Sequence, residues 1–315
     1  MNSIVESIKK EVKKVIVGHD ELIDALLIGL ISDGHILVEG VPGLAKTTAI
    51  NSLAKAIGVD FKRIQFTPDL LPSDITGTEI YDQKSGEFKT RKGPVFTNLL
   101  LADEINRAPA KVQAALLEVM QERQVTIGDR TYKLEDPFLV LATQNPVEQE
   151  GAYKLPEAQL DRFMLNVIVD YNSLDEEFEI VKRVADHKFE KIVQVANKDD
   201  IKRLKEALDK VHIDDAILTY ILEIVFATRD PKKYNLSKIA DYIEYGASPR
   251  ASINIYKASK AKALLKGKDY VTPVEVAEVV TDVLRHRIIL NYKAEAAGIK
   301  SDDIIKSILE TIQVP

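Results

Sequence analysis

Gly40-Val41-Pro42-Gly43-Leu44-Ala45-Lys46-Thr47 is the stretch that decides the fold of this chain. The apolar run 36–39 precedes it, and a helical pattern of apolar residues follows it from residue 50. A strand, a glycine-rich turn and a helix in this order form a phosphate-binding loop, because backbone N–H groups and the helix N-terminus face the anion. Lys46 adds a positive charge, and Thr47 offers a hydroxyl group to Mg²⁺. The predicted cofactor contacts in this stretch are Gly40, Val41, Pro42, Gly43, Leu44, Ala45, Lys46, Thr47 and Thr48.

One position of this loop departs from the usual pattern. Glycine normally stands immediately before the lysine, and this chain has Ala45 there. Alanine suffices if the position is already helical, because a helical backbone needs no positive φ. We therefore expect Ala45 to be helical. The alternative for the whole stretch is an ordinary turn between a strand and a helix.

Length and composition indicate a soluble globular protein. The chain has 315 residues, of which 45% are hydrophobic and 29% charged, so it can hold one large or two ordinary domains. It has no cysteine, which excludes disulfides and thiolate metal sites, and its net charge of −6 gives no footprint for nucleic acid or anionic membranes. The N-terminal pattern contains no signal-peptide core, and the longest apolar run, 25–31, is too short to span a bilayer. We expect a cytoplasmic protein.

Two kinds of pattern divide the chain. From about residue 35 to 171, short apolar runs alternate with helical patterns, which predicts an α/β fold with a parallel sheet. Beyond about residue 174 the pattern is helical, and Ser248-Pro249 and Thr272-Pro273 are typical helix starts. We predict an α/β domain over 1–173 and a smaller all-helical domain over 174–315. The predicted strands are 36–39, 62–66, 99–102, 138–142 and 164–169.

Two insertions interrupt the α/β pattern, at about residues 78–92 and 124–136. Both contain short alternating runs around turn residues, which predicts hairpins. They either decorate the surface or project toward a partner or a pore, since binding residues often lie on loops held by a rigid scaffold.

Polar side chains close two of the predicted strands. Asp103 and Glu104 follow one buried strand and Asn145 follows another, which places them at the carboxyl edge of the sheet, where ligands bind in this fold class. Asp103 is placed to hold Mg²⁺, directly or through water, and Glu104 to activate a water for attack on the γ-phosphate. Asn145 could orient that water, because an amide both donates and accepts. The alternatives are a solvated strand end for the acids and an Asn-Pro turn for Asn145.

Two arginines complete the set of candidate site residues. Arg162 lies just before the last predicted strand, and Arg250 lies in the first turn of the helix that Ser248 caps. A cation at a helix N-terminus opposes the macrodipole and costs some tenths of a kcal/mol, roughly, unless an anion binds there. The alternative for each is a surface arginine that pairs with a nearby acid.

Taken together, these segments resemble the MoxR-type AAA+ ATPases over nearly the whole chain. The matching motifs are Gly-Val-Pro-Gly-Leu-Ala-Lys-Thr (40–47), Leu-Leu-Ala-Asp-Glu-Ile-Asn-Arg-Ala-Pro (100–109), Ala-Thr-Gln-Asn-Pro (142–146), Glu-Ala-Gln-Leu-Asp-Arg-Phe (157–163), Gly-Ala-Ser-Pro-Arg-Ala (246–251) and Leu-Arg-His-Arg (284–287). The resemblance implies a P-loop AAA+ core with a five-stranded parallel sheet, followed by a helical lid.

The resemblance also implies roles for individual residues. It implies that Lys46 and Thr47 belong to Walker A, Asp103 and Glu104 to Walker B, and Asn145 to sensor 1. It makes Arg250 sensor 2 and Arg162 the finger that reaches a neighbour's nucleotide. The segment Val17-Gly18-His19 matches the adenine-side motif, in which glutamine is expected at the third position, so the base contacts of His19 stay open.

The function that follows is a Mg²⁺-dependent ATPase whose hydrolysis drives a conformational change in a partner protein. By resemblance, the protein forms a homo-oligomeric ring, expected to be a hexamer. The partner would contain a von Willebrand factor A-type domain, and the role would be chaperone-like assembly or metal insertion.

Three other functions each match part of the sequence. A GTPase would use Asp74-Ile75-Thr76-Gly77 and Asn197-Lys198-Asp199-Asp200, but these short patterns lie away from the expected strand ends. A scaffold that binds ATP with little turnover would not need Glu104, Asn145 and Arg162. A DNA-remodelling motor would suit the basic cluster near residues 84–92, although the net charge disfavours it.

Overall fold

The computed structural model describes residues 2–41, 43–145, 153–185 and 190–315. The helices are α1 (Asn2–Lys13), α2 (Asp20–Ile31), α3 (Lys46–Ile57), α4 (Pro72–Thr76), α5 (Ala110–Glu122), α6 (Glu157–Leu160), α7 (Leu174–Ala185), α8 (Lys198–Lys210), α9 (Asp215–Arg229), α10 (Ser237–Ala240), α11 (Pro249–Leu265), α12 (Pro273–Leu284), α13 (Tyr292–Ala296) and α14 (Ser301–Thr311). The strands are β1 (Ile36–Glu39), β2 (Phe61–Gln65), β3 (Gly77–Asp82), β4 (Glu87–Lys92), β5 (Leu99–Asp103), β6 (Gln124–Ile127), β7 (Arg130–Lys133), β8 (Leu139–Gln144), β9 (Leu165–Ile168), β10 (Ile243–Tyr245) and β11 (Ile289–Leu290). None of the helices within these residues is both long enough and apolar enough to cross a bilayer.

Five parallel strands form the central sheet, in the order β2-β5-β8-β1-β9. The register places Gln65 opposite Asp103 and Val38 opposite Thr143. The carboxyl ends of β1, β2, β5 and β8 therefore meet at one edge, where this fold class binds ligands. The predicted five-stranded sheet is confirmed, with each strand boundary within two residues of its predicted place.

The middle strands are apolar along their length because helices cover both faces of a parallel sheet. Leu99, Leu100, Leu101 and Ala102 of β5 have no solvent exposure, and the first three residues of β1 are equally buried. Helix α2 is also mostly buried, with residues from Leu22 to Ile31 contributing to the core. Apolar burial on this scale fixes the sheet and leaves the polar strand ends as the exposed edge.

Each of the two insertions forms an antiparallel hairpin, as their turn residues predict. In the first, β3 pairs with β4, and the rings of Tyr81 and Phe88 lie 5.3 Å apart with more than half of each residue exposed. In the second, β6 pairs with β7. A role in contacting a partner or lining a pore stays a prediction.

The contacts within the chain group it into two compact units. One contains Ser3–Leu155 and Val167–Lys202, and the other contains Pro156–Asn166 and Arg203–Pro315. These units differ from the predicted domains, whose boundary lies after residue 173. The reason is that segments beyond residue 173 donate hydrogen bonds to backbone carbonyl groups of the α/β unit. Arg183 Nη1 donates to the carbonyl of Lys14 at 3.0 Å, and the N–H groups of residues 195 and 196 donate to the carbonyl of Ala56. The domain boundary itself stays a prediction.

The second unit is mainly helical, and it also contains a short antiparallel pair, β10 with β11, which the helical pattern does not predict. Its predicted helix starts are confirmed. Ser248 Oγ accepts from the N–H of Arg250 at 3.2 Å, and Thr272 forms a capping box with Glu275. Both caps satisfy N–H groups that an isolated helix end leaves unpaired.

Candidate active site

The phosphate-binding loop joins β1 to α3 and lines a cavity of about 330 Å³. Helix α3 begins at Lys46, so its first N–H groups open onto this cavity. Pro42 of the loop and Pro146 of the Asn-Pro motif lie outside the described residues. Val41 belongs to the loop but is not among the lining residues. The cavity is lined by Gly40, Gly43, Leu44, Ala45, Lys46, Thr47, Thr48, Arg63, Gln65, Asp103, Glu104, Thr143, Gln144 and Asn145.

Lys46 is the positively charged residue that the phosphate-binding loop contributes to the wall of this cavity. Its Nζ donates to the carbonyl oxygen of Gly40 at 2.6 Å. Partial burial lowers the pKa of Lys46, and the nearby carboxylates of Asp103 and Glu104 only partly oppose that effect. A phosphate group would stabilise the charged ammonium, because it replaces lost solvation with a full negative charge.

Ala45 does not have the helical backbone that we expected. Its φ of 54° and ψ of 12° place it in the left-handed region, and the helix starts only at the next residue. That expectation was wrong because the loop needs a positive φ here to turn into α3, which is why glycine is usual at this position. A left-handed alanine costs roughly 1–2 kcal/mol, which the rest of the loop must offset.

Asp103 ends β5 and is held from two neighbouring strands. Its Oδ1 accepts a hydrogen bond from Thr143 Oγ1 of β8 at 2.6 Å. Its Oδ2 accepts from the Arg63 guanidinium of β2, with Nη2 at 2.6 Å and Nε at 3.0 Å. These contacts fix the carboxylate beside Lys46 and Thr47 at the cavity wall.

Glu104 follows Asp103 with a left-handed backbone, φ 55° and ψ 51°. Its N–H donates to Thr143 Oγ1 at 2.9 Å, so one hydroxyl group bridges both acidic residues. Its carboxylate oxygen Oε2 accepts from Gln65 Nε2 at 2.7 Å and from Arg107 Nη1 at 3.0 Å. The carboxylate of Glu104 is therefore positioned by side chains from β2 and from the turn after β5.

Arg63, Gln65 and Thr143 are site residues that the sequence analysis missed. Arg63 and Gln65 occupy alternate positions at the end of β2, so their side chains share one face of the strand. That spacing, next to a predicted phosphate loop, was the available signal. Asn145, which was predicted, follows β8 and lines the same cavity, and only 8% of its surface is exposed.

Val17 and Gly18 lie outside this cavity, in the loop between α1 and α2. Gly18 lines a second cavity, and the carbonyl of Val17 accepts a hydrogen bond from Asn172 Nδ2 at 3.1 Å. The two cavities are neighbours. A Cβ atom at Gly40 would lie 2.5 Å from the carbonyl oxygen of Val169. Gly40 lines the first cavity, and Val169 lines the second.

Arg162 and Arg250 belong to the other compact unit, where both are exposed. Asp161, which precedes Arg162, accepts from Ser248 Oγ at 3.0 Å and lies 3.4 Å from Arg250 Nη1. The buried Arg287 donates its Nε to the same carboxylate at 2.8 Å. Burial lowers the pKa of Arg287 to about 10, although Asp161 opposes the shift. The motif around Arg287 thus anchors the segment that carries Arg162.

The donor set of the cavity fits a nucleotide with Mg²⁺. Among the described residues, no group of three or more His, Cys, Asp or Glu side chains could hold a metal ion. Mg²⁺ needs no such cluster, because it keeps several waters and binds through one or two protein oxygens plus phosphate oxygens. The Thr47 hydroxyl and the Asp103 carboxylate supply such oxygens at the wall of the cavity.

Comparisons with known proteins agree with this geometry. The family model for the ATPase family associated with various cellular activities (AAA) matches residues 35–165, and that for the AAA lid domain matches residues 237–308. The chain is 50% identical over 305 residues to Chaperone MoxR1 of Mycobacterium tuberculosis, covering 97% of this chain and 81% of that protein. It is 28% identical to Protein MoxR of Methylorubrum extorquens, over 98% of this chain and 94% of that protein.

A solved structure shows the same fold. The crystal structure of a candidate ATPase from Cytophaga hutchinsonii is 53% identical in sequence and superposes with a TM-score of 0.94, covering all of this chain and 96% of that one. The chain therefore shares its fold with that protein over its whole length. The chain belongs to the MoxR family of AAA+ ATPases.

Proposed function

We propose that the protein is a Mg²⁺-dependent ATP hydrolase that couples hydrolysis to the remodelling or maturation of a partner protein. The observation that supports hydrolysis is the composition of one cavity wall. Lys46, Thr47, Asp103, Glu104 and Asn145 all line it. Phosphate binding needs the first of these residues, whereas attack by water needs a base and an orienting group as well.

In this proposal, the loop N–H groups and Lys46 bind the phosphates, and the Thr47 hydroxyl and the Asp103 carboxylate hold Mg²⁺. Bound Mg²⁺ supplies neutralisation of charge on the phosphate oxygens. Glu104 accepts a proton from the attacking water, and Asn145 orients that water. Gln65 and Arg107 position the Glu104 carboxylate through the hydrogen bonds described above.

The second part of the proposal concerns assembly. Arg162 acts as a finger on the nucleotide of a neighbouring subunit, and Arg250 acts as the sensor of the lid. Such a finger requires the nucleotide to lie at a subunit boundary, and head-to-tail contacts of this kind close into rings. We propose a cytoplasmic homo-oligomeric ring, a hexamer, in which the buried ion pair of Asp161 with Arg287 fixes the segment before Arg162.

The third part concerns the partner. One relative carries the name Chaperone MoxR1, which supports a client protein for this chain as well. Following the family resemblance, we propose a client or co-factor with a von Willebrand factor A-type domain. The exposed aromatic pair of the β3–β4 hairpin is the surface we assign to that contact.

The hydrolysis assignment is tested by separating binding from turnover. Lys46→Ala should lose ATP binding, because the phosphates lose the positive charge of the loop. Glu104→Gln should bind ATP and Mg²⁺ but stop hydrolysis, because an amide cannot accept the proton. Glu118→Gln, on the exposed face of α5, is the matched control and should behave as the unchanged protein.

Single-turnover hydrolysis of labelled ATP and direct binding measurements distinguish the outcomes. Wild-type hydrolysis by Glu104→Gln would refute the assigned base. Tight ATP binding with no turnover by the unchanged protein would favour the scaffold over the hydrolase. Capture of binding proteins with ATP-loaded Glu104→Gln then identifies the client.

A further inference from the structure

Arg63 is a second positively charged residue at the wall of the nucleotide cavity, and it comes from the edge strand β2 rather than from the loop. The reaction proposed above gives it no role of its own. Within the described residues, the charged side chains that line the cavity are two cations, Lys46 and Arg63, and two acids, Asp103 and Glu104. Arg63 therefore balances negative charge at the place where the proposed Mg²⁺ site needs it.

The guanidinium of Arg63 occupies one oxygen of the Asp103 carboxylate completely. Nε and Nη2 donate to Oδ2 at 3.0 and 2.6 Å, and a carboxylate oxygen has two lone pairs. The other oxygen, Oδ1, accepts from the hydroxyl group of Thr143 at 2.6 Å. Within the described residues, hydrogen bonds therefore use three of the four acceptor positions of this carboxylate.

A further contact holds the guanidinium in this position. Nη2 of Arg63 also donates to Gln65 Oε1 at 2.8 Å. The two residues alternate along β2, so their side chains lie on one face of the strand. Nη2 has two N–H groups, and both are used. Arg63 is therefore oriented toward Asp103 by a neighbour on its own strand, which distinguishes this pair from a surface ion pair between two unconstrained side chains.

This guanidinium and a divalent cation compete for the same carboxylate. Mg²⁺ binds proteins through one or two carboxylates and keeps several waters, so it can use Asp103 directly or through a water. In either case, a positive charge that remains on Oδ2 opposes the metal through Coulomb repulsion. If Arg63 leaves Asp103, it needs another anion, and nucleotide phosphates supply one because arginine pairs strongly with phosphate.

We propose that Arg63 is the counter-ion that keeps Asp103 from binding a divalent cation until a nucleotide is present. Its departure opens the carboxylate to the metal, and the phosphates of the nucleotide then neutralise the guanidinium. Arg63 therefore couples the two ligands, so that binding of either favours binding of the other. This inference rests on the proposed nucleotide-hydrolase function and describes how its metal site is controlled.

The test is the affinity of the full chain for Mn²⁺ in the absence of nucleotide. Mn²⁺ takes the same oxygen ligands as Mg²⁺, and the paramagnetic resonance signal of the free ion measures its binding directly. Arg63→Met keeps a long side chain without charge or N–H groups, and it should bind Mn²⁺ about tenfold more tightly than the unchanged protein. Arg63→Lys keeps the charge without the planar fork and should bind Mn²⁺ about threefold more tightly. If Arg63 only held the carboxylate in place, its loss would weaken binding instead.

Two further variants show whether the effect acts through Asp103. Lys62→Met is the matched control, because it removes a positive charge from the adjacent position of β2. Lys62 Nζ donates to the carbonyl of Phe96 at 3.2 Å, and neither residue lines the cavity, so this variant should keep the wild-type affinity. Asp103→Asn removes the carboxylate and measures the Mn²⁺ that binds elsewhere. In that background, Arg63→Met should change the affinity by less than about twofold.

The outcomes separate the inference from the function on which it rests. Unchanged or weaker Mn²⁺ binding by Arg63→Met would overturn the inference, and so would equal tightening in the Asp103→Asn background. If Arg63→Met does not fold, wild-type affinity in Arg63→Lys would overturn it. Calorimetric titration with ADP and Mg²⁺ tests the underlying function, because Asp103→Asn should bind this pair more weakly than the unchanged protein. Equal affinities there would overturn the metal role of Asp103 and with it the inference.

Discussion

Acid is expected to destabilise the protein through His35, whose imidazole is buried between β8 and the end of α5. Nε2 donates to the carbonyl of Met120 and Nδ1 accepts from the N–H of Val140, each at 3.0 Å. A second ring proton would therefore face the N–H of Val140. Burial lowers the pKa of His35 from 6.5 to about 4, and the charge of Arg123 acts in the same direction.

The sign and size of the effect follow from this pKa. Because the folded pKa lies below the unfolded value, the unfolded chain binds a proton that the folded chain excludes between pH 6.5 and about 4. The stability is complete above pH 6.5 and falls as the pH falls through that window. Each pKa unit corresponds to about 1.4 kcal/mol, so the full loss is about 3 kcal/mol, of which about 2 kcal/mol has gone at pH 5.

His35→Gln keeps an amide donor and acceptor but does not titrate, so it should remove this part of the pH dependence. Urea unfolding of both proteins at about pH 7.5, 6 and 5 shows how strongly the free energy of unfolding of each depends on pH. The buried His286, whose pKa burial also lowers, is present in both chains and cancels in the comparison. Parallel stability curves for the two proteins would refute the reasoning.

Four further predictions concern the site and the assembly. Gln65→Leu removes the 2.7 Å hydrogen bond that positions the Glu104 carboxylate, so steady-state turnover should fall about fivefold with little change in KM. Ala45→Gly should change the free energy of unfolding by no more than about 0.5 kcal/mol, because relief of the left-handed strain offsets the greater freedom of unfolded glycine. Denaturant unfolding of both proteins measures this change. Arg250→Ala breaks an exposed ion pair worth about 0–1 kcal/mol, so the melting temperature without nucleotide should hardly change while ATP affinity falls. Arg162→Ala should bind ATP normally but hydrolyse it poorly, and mixing it with Glu104→Gln should restore activity; no recovery on mixing would contradict a finger acting between subunits.

Much of the α/β unit could be predicted because its signals are local. Short apolar runs separated by turn residues give the five strands, and the loop sequence at Gly40–Lys46 gives the phosphate site. The acids at the end of β5 could be assigned to the same edge because parallel strands end together. Each inference needs only residues that are close in sequence and the geometry of a parallel sheet.

The remaining features depend on contacts between distant residues or on backbone strain. Arg63 and Gln65 alternate with apolar residues in an edge strand, a pattern equally typical of a solvated strand face. The backbone of Ala45 is left-handed although alanine prefers other conformations, because the path of the loop determines the conformation at this position. The pairing of Asp161 with Arg287 joins residues 126 positions apart, which spacing along the chain does not reveal.

The carboxylate of Asp161 interacts with two arginines of very different exposure. The side chain of Arg287 is fully buried, whereas about half of the Arg250 side chain is exposed and its Nη1 lies 3.4 Å from the same carboxylate. If Arg250 turns toward another anion, Asp161 keeps its buried counterion, and no charge is left uncompensated inside the protein. Arg250 can therefore exchange partners at the small cost of a surface ion pair, and the segment that precedes Arg162 is not disturbed by the exchange.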